Sequence, residues 1–249
     1  MRVIVSQTKA EMARKAAGDG ATLIRNALQA RGEANIVLAT GASQFEMLEN
    51  LVRAEGMAWN RVTAFQLDEY VNLPVAHRGS LRLYLWRRFV TQLPLPLRAY
   101  HGIDSEAAAE QECRRLDTII REHPIDVAFI GIGENGHLAF NDPPADFETE
   151  KPYIVLHLDE RCRRQQFGEG WFSSFEEVPR QGLSMSIRQI MKSKAIICTV
   201  PDERKAEAVR NAIEGPVTPL APASVLQQHD QATIYLDPPA ASFLQKKQT

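Results

Sequence analysis

The chain has 249 residues, 44% hydrophobic and 24% charged, as expected of a globular protein with enough length for a sizeable buried core. Lys and Arg number 29 against 31 Asp and Glu, so no field of one sign favours nucleic acid or an anionic membrane, and any pull on an anionic ligand is local. The three cysteines, Cys113, Cys162 and Cys198, are scattered and lack a C-x-x-C pair, which argues against a disulfide framework or zinc cluster and for free thiols in a reducing cytoplasm.

Val3 to Val5 is the first predicted strand, and its apolar run is too short for a signal peptide. No stretch approaches the roughly 20 apolar residues needed to cross a bilayer, so a cytoplasmic protein without a membrane partner is expected. Glu11 to Ala30 carries Met12, Ala16, Leu23, Ile24, Ala27 and Leu28 near helical spacing. Asn35 to Ala39 reads as a buried strand, followed by Thr40-Gly41-Ala42-Ser43 and a helix through Phe45, Met47, Leu48, Leu51 and Val52. Arg61 to Leu67 is the next strand, and Ser80 to Leu93 a helix.

The alternation continues with a helix over Glu106 to Glu122 and a strand over Ile125 to Ile130 that runs into a Gly-rich segment. Further strands are expected at Tyr153 to Leu158, Ala195 to Val200 and Ala232 to Leu236, with helices at Ser184 to Met191 and Glu203 to Ile213. Asp142 to Pro152 and Gln165 to Gly182 are the long irregular stretches, of the kind that form lids or binding loops. Apolar strands separated by helices indicate an α/β fold of three layers: a mostly parallel, Rossmann-like sheet with helices on both faces. Residues 1–249 are read as one such domain.

Ligands of open parallel sheets bind at the carboxyl ends of the strands. Three polar clusters fall at such ends. In Thr40-Gly41-Ala42-Ser43, Gly41 permits a tight turn, and the following helix offers free N–H groups to a phosphate. The same four residues read equally as a plain turn with Ser43 as N-cap. Asp68-Glu69-Tyr70 places two acids after an apolar strand. Alternation lets at most one of them face a given cleft, where burial raises a carboxyl pKa and suits it to proton transfer; the plain alternative is a cap near the surface.

The densest cluster is Gly131-Ile132-Gly133-Glu134-Asn135-Gly136-His137, followed by Leu138 to Pro143. His137 exchanges protons near neutral pH, and Asn135 and Asp142 are placed to orient its ring, although a lone His after a Gly-rich turn is often structural. The glycines nominally match G-x-G-x-x-G. A dinucleotide site is nonetheless rejected, because Asn141-Asp142-Pro143-Pro144 breaks the long helix that fingerprint requires. Lys205, early in the helix after Val200, suits a phosphate or simply a solvated face among Glu203, Arg204, Glu207 and Arg210. His101, His123, His157 and His229 show no ligand spacing, so no metal site is expected.

In this order the clusters resemble the glucosamine-6-phosphate deaminase family over nearly the whole chain. The resemblance rests on the T-G-x-S/T loop at Thr40, D-E-Y-V-x-L-P from Asp68 to Pro74, and G-x-G-x-x-G-H-x-A-F-N from Gly131 to Asn141. The Lys205 helix and P-A-S-x-L-Q-x-H from Pro222 to His229 add to it. It implies a fold of the deaminase/isomerase type and a small-molecule sugar-phosphate partner held by Thr40, Gly41, Ala42, Ser43, Glu69, Gly136 and Lys205. In that reading His137, with Asn135 and Asp142, assists ring opening. Asp68 moves a proton from C2 to C1, and ammonia leaves without metal or organic cofactor.

A homo-oligomer is compatible with the family, but the basic pair that marks the allosteric site of its hexameric members is not evident around Glu148 to Tyr153. The family usually has Asp where Asn135 stands, Glu where Asp142 stands and a phosphate-binding Arg where Gln166 stands. Arg161, Arg163 and Arg164 are candidate substitutes for that Arg. Galactosamine-6-phosphate isomerases can carry Asn at the first of these places. They are one alternative; 6-phosphogluconolactonase activity and a non-catalytic sugar-phosphate sensor are the others.

Overall fold

The computed structural model describes residues 1–245. Seven strands form a wholly parallel sheet: β1 (Arg2–Val5), β2 (Ala34–Leu38), β3 (Val62–Gln66), β5 (Ala99–His101), β6 (Val127–Ile130), β9 (Ala195–Val200) and β10 (Ala232–Leu236). Their order is β1-β10-β9-β6-β2-β3-β5. β2, β3, β6, β9 and β10 are buried along their whole length, which explains their unbroken apolar runs. From β2 the chain moves outward through β3 to β5, then returns to place β6 on the other side of β2. The topological switch point therefore lies between β2 and β6.

Helices cover both faces. α1 (Lys9–Arg31) starts where Thr8 accepts a hydrogen bond from the Glu11 N–H, and ends at Gly32, whose φ of 78° needs a residue without a Cβ. Its inner face carries Met12, Ala16, Gly20, Ile24 and Ala27. α2 (Phe45–Val52), α3 (Leu81–Arg88), α4 (Ala109–Arg121), α6 (Ile187–Met191) and α7 (Ala206–Glu214) complete the layers.

The sheet departs from expectation in one addition. β4 (Asp68–Tyr70), β8 (Gln181–Met185) and β7 (Tyr153–His157) form a separate antiparallel sheet in the order β4-β8-β7. Residues 184–185, expected to begin a helix, instead pair with Asp68 and Tyr153. The helix starts only after Ser186, whose hydroxyl accepts from the Gln189 N–H. Part of the stretch expected to be irregular is α5 (Glu160–Gly168), capped by Asp159. The helix expected to reach Leu93 ends at Arg88, and β5 was not anticipated.

α1 sits close on the sheet at Gly20, where an added Cβ would fall 2.3 Å from the buried Phe129 ring. Gly20→Ala should destabilise the protein by about 1–3 kcal/mol through overpacking. The expected signature is a lower urea midpoint with an unchanged slope.

Candidate functional site

Thr40, Asp68, Gly131 and Lys205 all follow parallel strands, so their segments meet at one edge of the sheet. Thr40, Gly41, Ser43, Asp68, Gly133, His137 and Lys205 line one open cavity over the switch point.

The turn after β2 depends on Gly41, whose φ of 93° disfavours any side chain. Its carbonyl accepts from the Tyr84 hydroxyl at 2.9 Å, which ties the turn to α3. Gln44 is fully buried beneath it; its amide donates to Ser43 Oγ at 3.1 Å and reaches the Ile130 and Thr199 carbonyls at 3.4 Å. The turn is thus fixed to the ends of β6 and β9. Ala42 belongs to this turn but does not line the cavity.

β4 separates the two acids. Asp68 faces the cavity, is 7% exposed, and leaves its Oδ1 without a hydrogen-bond partner. Burial, with the neighbouring Glu69 charge adding, raises its pKa to about 7. Glu69, expected to contact substrate, faces the other way. Its carboxylate accepts from the N–H groups of Tyr70, Leu81 and Arg82 at 2.9, 3.1 and 2.7 Å and from the Ser80 hydroxyl at 3.1 Å. It anchors the N-terminus of α3, where orphan N–H groups and the helix dipole favour an anion. Burial raises its pKa as well, against the pull of those donors.

The Gly-rich segment wraps around His137. The Gly133 N–H donates to the His137 carbonyl at 3.0 Å, and a Cβ on Gly133 would fall 2.2 Å from the imidazole. Gly133 is therefore glycine because the ring lies on it. His137 Nδ1 is 3.1 Å from Asp142 Oδ1, off the line of a hydrogen bond. Asn135 sits behind the ring rather than in the cavity. Its amide donates to Asp142 Oδ1 at 2.8 Å and Asp159 Oδ2 at 2.9 Å, and its oxygen accepts from the His137 N–H at 3.1 Å. Burial would raise the Asp142 pKa, but His137, Asn135 and the Asp159 N–H outweigh it and hold the carboxyl below its ordinary value. Gly136, at φ 87°, shapes the turn and lines a different cleft.

Lys205 is 5% exposed and points into the cavity, so the solvated-face reading fails. Burial lowers its pKa, opposed by Glu169 and Glu134. Arg204 turns outward to Asp202 at 3.1 Å and Glu134 at 3.4 Å. Together, loop N–H groups and a buried ammonium suit an anion at one end of the cavity. A partnerless carboxyl and an imidazole suit proton transfer at the other.

α5 and the residue after it supply a wall within the stretch expected to form a lid or binding loop, with Gln166 at the place of the family's phosphate-binding Arg. Gln165, Gln166 and Glu169 close one wall. Gln166 Oε1 accepts from the buried Tyr70 hydroxyl at 2.8 Å. Glu169 accepts from Gln165 Nε2 at 2.9 Å and Trp171 Nε1 at 3.1 Å. None of the three arginines near it substitutes at this wall. Arg163 bonds the Phe175 and Val178 carbonyls, Arg164 pairs with Glu160, and Arg161 lines the separate cleft behind Asn135. Among the described residues, Lys205 is the one Lys or Arg lining the cavity, and no helix is long and apolar enough to cross a membrane.

The family model described as glucosamine-6-phosphate isomerases/6-phosphogluconolactonase matches residues 7–235. A glucosamine-6-phosphate deaminase of Streptococcus pyogenes serotype M49 (strain NZ131) is 36% identical over 223 residues, 90% of this chain and 92% of that one. One from Streptococcus equi subsp. equi (strain 4047) is 36% identical over 228 residues, with the same coverage. The solved structure of a monomeric glucosamine-6-phosphate deaminase superposes with a TM-score of 0.89 at 31% identity, covering 97% of this chain and 99% of that one. A 6-phosphogluconolactonase from Thermotoga maritima shares the fold with a TM-score of 0.77 at 17% identity, covering 95% and 98%.

The raised pKa of Asp68 has a stability consequence. The folded state holds this proton more tightly than the unfolded chain, so its contribution falls as pH rises from about 4 towards about 7 and stays lost above that. Asp68→Asn should therefore be more stable than the parent at pH 8, on the order of a few kcal/mol. Thermal unfolding should show the gap closing as the pH is lowered towards 4.

Proposed function

The chain belongs to the glucosamine-6-phosphate isomerase/6-phosphogluconolactonase family, and from that membership and the cavity's geometry we propose that it isomerises and deaminates a 2-amino-2-deoxyhexose 6-phosphate, glucosamine 6-phosphate first. The observation that carries this reading is Asp68. It is a buried carboxyl without a partner, with a pKa of about 7, facing the same cavity as His137 and Lys205. A base poised near the operating pH is what abstraction of a proton beside a carbonyl requires.

The phosphate sits against the Thr40–Ser43 turn and the Lys205 ammonium. His137, set by Asp142 and Asn135, moves the proton between the anomeric hydroxyl and the ring oxygen as the ring opens. Asp68 takes the C2 proton, leaving an enolamine across C1 and C2, and returns it to C1. The resulting C2 imine takes up water, and its nitrogen leaves as ammonia to give the ketose 6-phosphate. The groups required are a base, a proton shuttle and an anion anchor, all supplied by side chains and backbone. Buried free cysteines support a reducing, cytoplasmic setting. The similar deaminase described as monomeric favours a single-subunit enzyme over a homo-oligomer.

Ammonia release should be assayed with glucosamine 6-phosphate and galactosamine 6-phosphate separately, and lactone hydrolysis alongside. Ammonia from glucosamine 6-phosphate is expected; folded protein that releases none from either amino sugar would sink the reading. Turnover should rise with pH through about 7 as Asp68 ionises. Asp68→Asn should lower kcat by roughly 10²–10⁴-fold while substrate still stabilises the fold. Glu169 places a negative charge on the wall that receives the phosphate. Glu169→Gln should lower KM and Lys205→Ala should raise it, as steady-state kinetics would show.

A further inference from the structure

Behind His137 lies a cluster that the proposed reaction does not use in full. An imidazole nitrogen of His137, an Asp142 oxygen and Cys162 Sγ all lie within 4.8 Å of one another, and Nδ1 is the nitrogen that stands 3.1 Å from Asp142 Oδ1. Cys162 comes from the first turn of α5, where its N–H donates to the capping Asp159 carboxylate at 2.6 Å. Cys162 is 1% exposed and His137 7%. The imidazole Nδ1 is buried among these groups, and its polar neighbour Asp142 Oδ1, at 3.1 Å, lies outside good hydrogen-bond geometry. Burial pushes the Cys162 thiol well above its ordinary pKa, and the nearby charges of Asp142, Asp159 and Asp68 push the same way. Negative charge and a soft sulfur thus gather around this nitrogen.

We propose that His137, Asp142 and Cys162 form an inhibitory site for a thiophilic divalent cation of the Zn²⁺ class. A thiolate, an imidazole and a carboxylate select Zn²⁺ over the oxygen-preferring Mg²⁺ and Ca²⁺, with the fourth position left to water. Bonds of about 2.0–2.3 Å require the widest-spaced donors to draw together by roughly 1 Å. The thiol proton, and any proton on Nδ1, leave to solvent as the metal binds. A metal on Nδ1 leaves the remaining ring proton on Nε2, so the imidazole no longer accepts a proton from the cavity. Turnover stops although Asp68 and Lys205 are untouched. The inhibition half of this inference rests on the deaminase reading; the binding half does not.

The test takes chelator-treated, full-length protein as wild type, Cys162→Ala and Cys162→Val, each checked for folding by circular dichroism. Co²⁺ is titrated while thiolate-to-metal charge-transfer absorption is followed, and Zn²⁺ is titrated against ammonia release. The wild type should show the absorption band and a single-site, EDTA-reversible loss of turnover. Both variants should keep their uninhibited turnover, lose the band and resist Zn²⁺. A wild type without the band overturns the site whatever the ammonia assay gives. So does a band that survives in both variants, where Cys113 and Cys198 remain, or equal Zn²⁺ sensitivity in all three proteins.

Discussion

At the open edge of the parallel sheet one buried carboxamide, that of Gln44, ties three chain segments to one another. Its nitrogen reaches Ser43 and the carbonyls that end β6 and β9, and its oxygen accepts from Thr199 Oγ1 at 3.0 Å. Parallel strands have no hairpin joining their ends, and where the backbone ladder of β2, β6 and β9 stops this side chain continues the cross-links. The three chain segments joined here carry the Gly41 turn, the His137 loop and Lys205. A buried amide with its partners in place stiffens such a junction; the same amide unpaired would loosen it. The cavity owes its shape to this junction, and the anion end and the proton-transfer end keep their spacing through it.

Much of this was legible in the sequence. Strands buried on both faces must be apolar throughout, and where they end the chain turns to glycine and polar residues. That contrast located the Thr40, Asp68 and Gly131 segments. Alternation along a strand limited Asp68 and Glu69 to one cavity-facing acid, and β4 turns Asp68 inward. The small antiparallel sheet was not legible, because β8 runs almost directly into a one-turn helix and the whole apolar stretch suits either form. α5 was missed for another reason. Its Arg, Gln and Glu residues carry no apolar stripe, and it is placed by the Asp159 cap and the Tyr70–Gln166 hydrogen bond.

Asn135 stands where the resemblance leads one to expect Asp, and its neighbours in the structure suit the amide. Asp142 and Asp159 both present carboxylate oxygens to it, and only a neutral amide donates to the two at once. A third carboxylate there would repel both of its neighbours. The same bridge holds α5 to the His137 loop, so the wall of the cavity and the orientation of its imidazole share one support. The departure at Gln166 is different in kind. The glutamine is committed to Tyr70, which leaves Lys205 as the cavity's principal cation.

β1 finds its partner in β10, with Val3 beside Ile234. Ribosomal synthesis proceeds at about 5–20 residues per second, so the first strand made waits on the order of 10–50 s for the strand that houses it. Once β6 is made, β2 and β3 have both of their neighbours, whereas β6 still lacks β9, and β1 and the face of α1 that covers β9 and β10 lack theirs. The nascent chain therefore carries an unpaired edge strand and an uncovered helix face until β10 emerges. In the cell, completing this sheet is a matter of timing as much as of contacts.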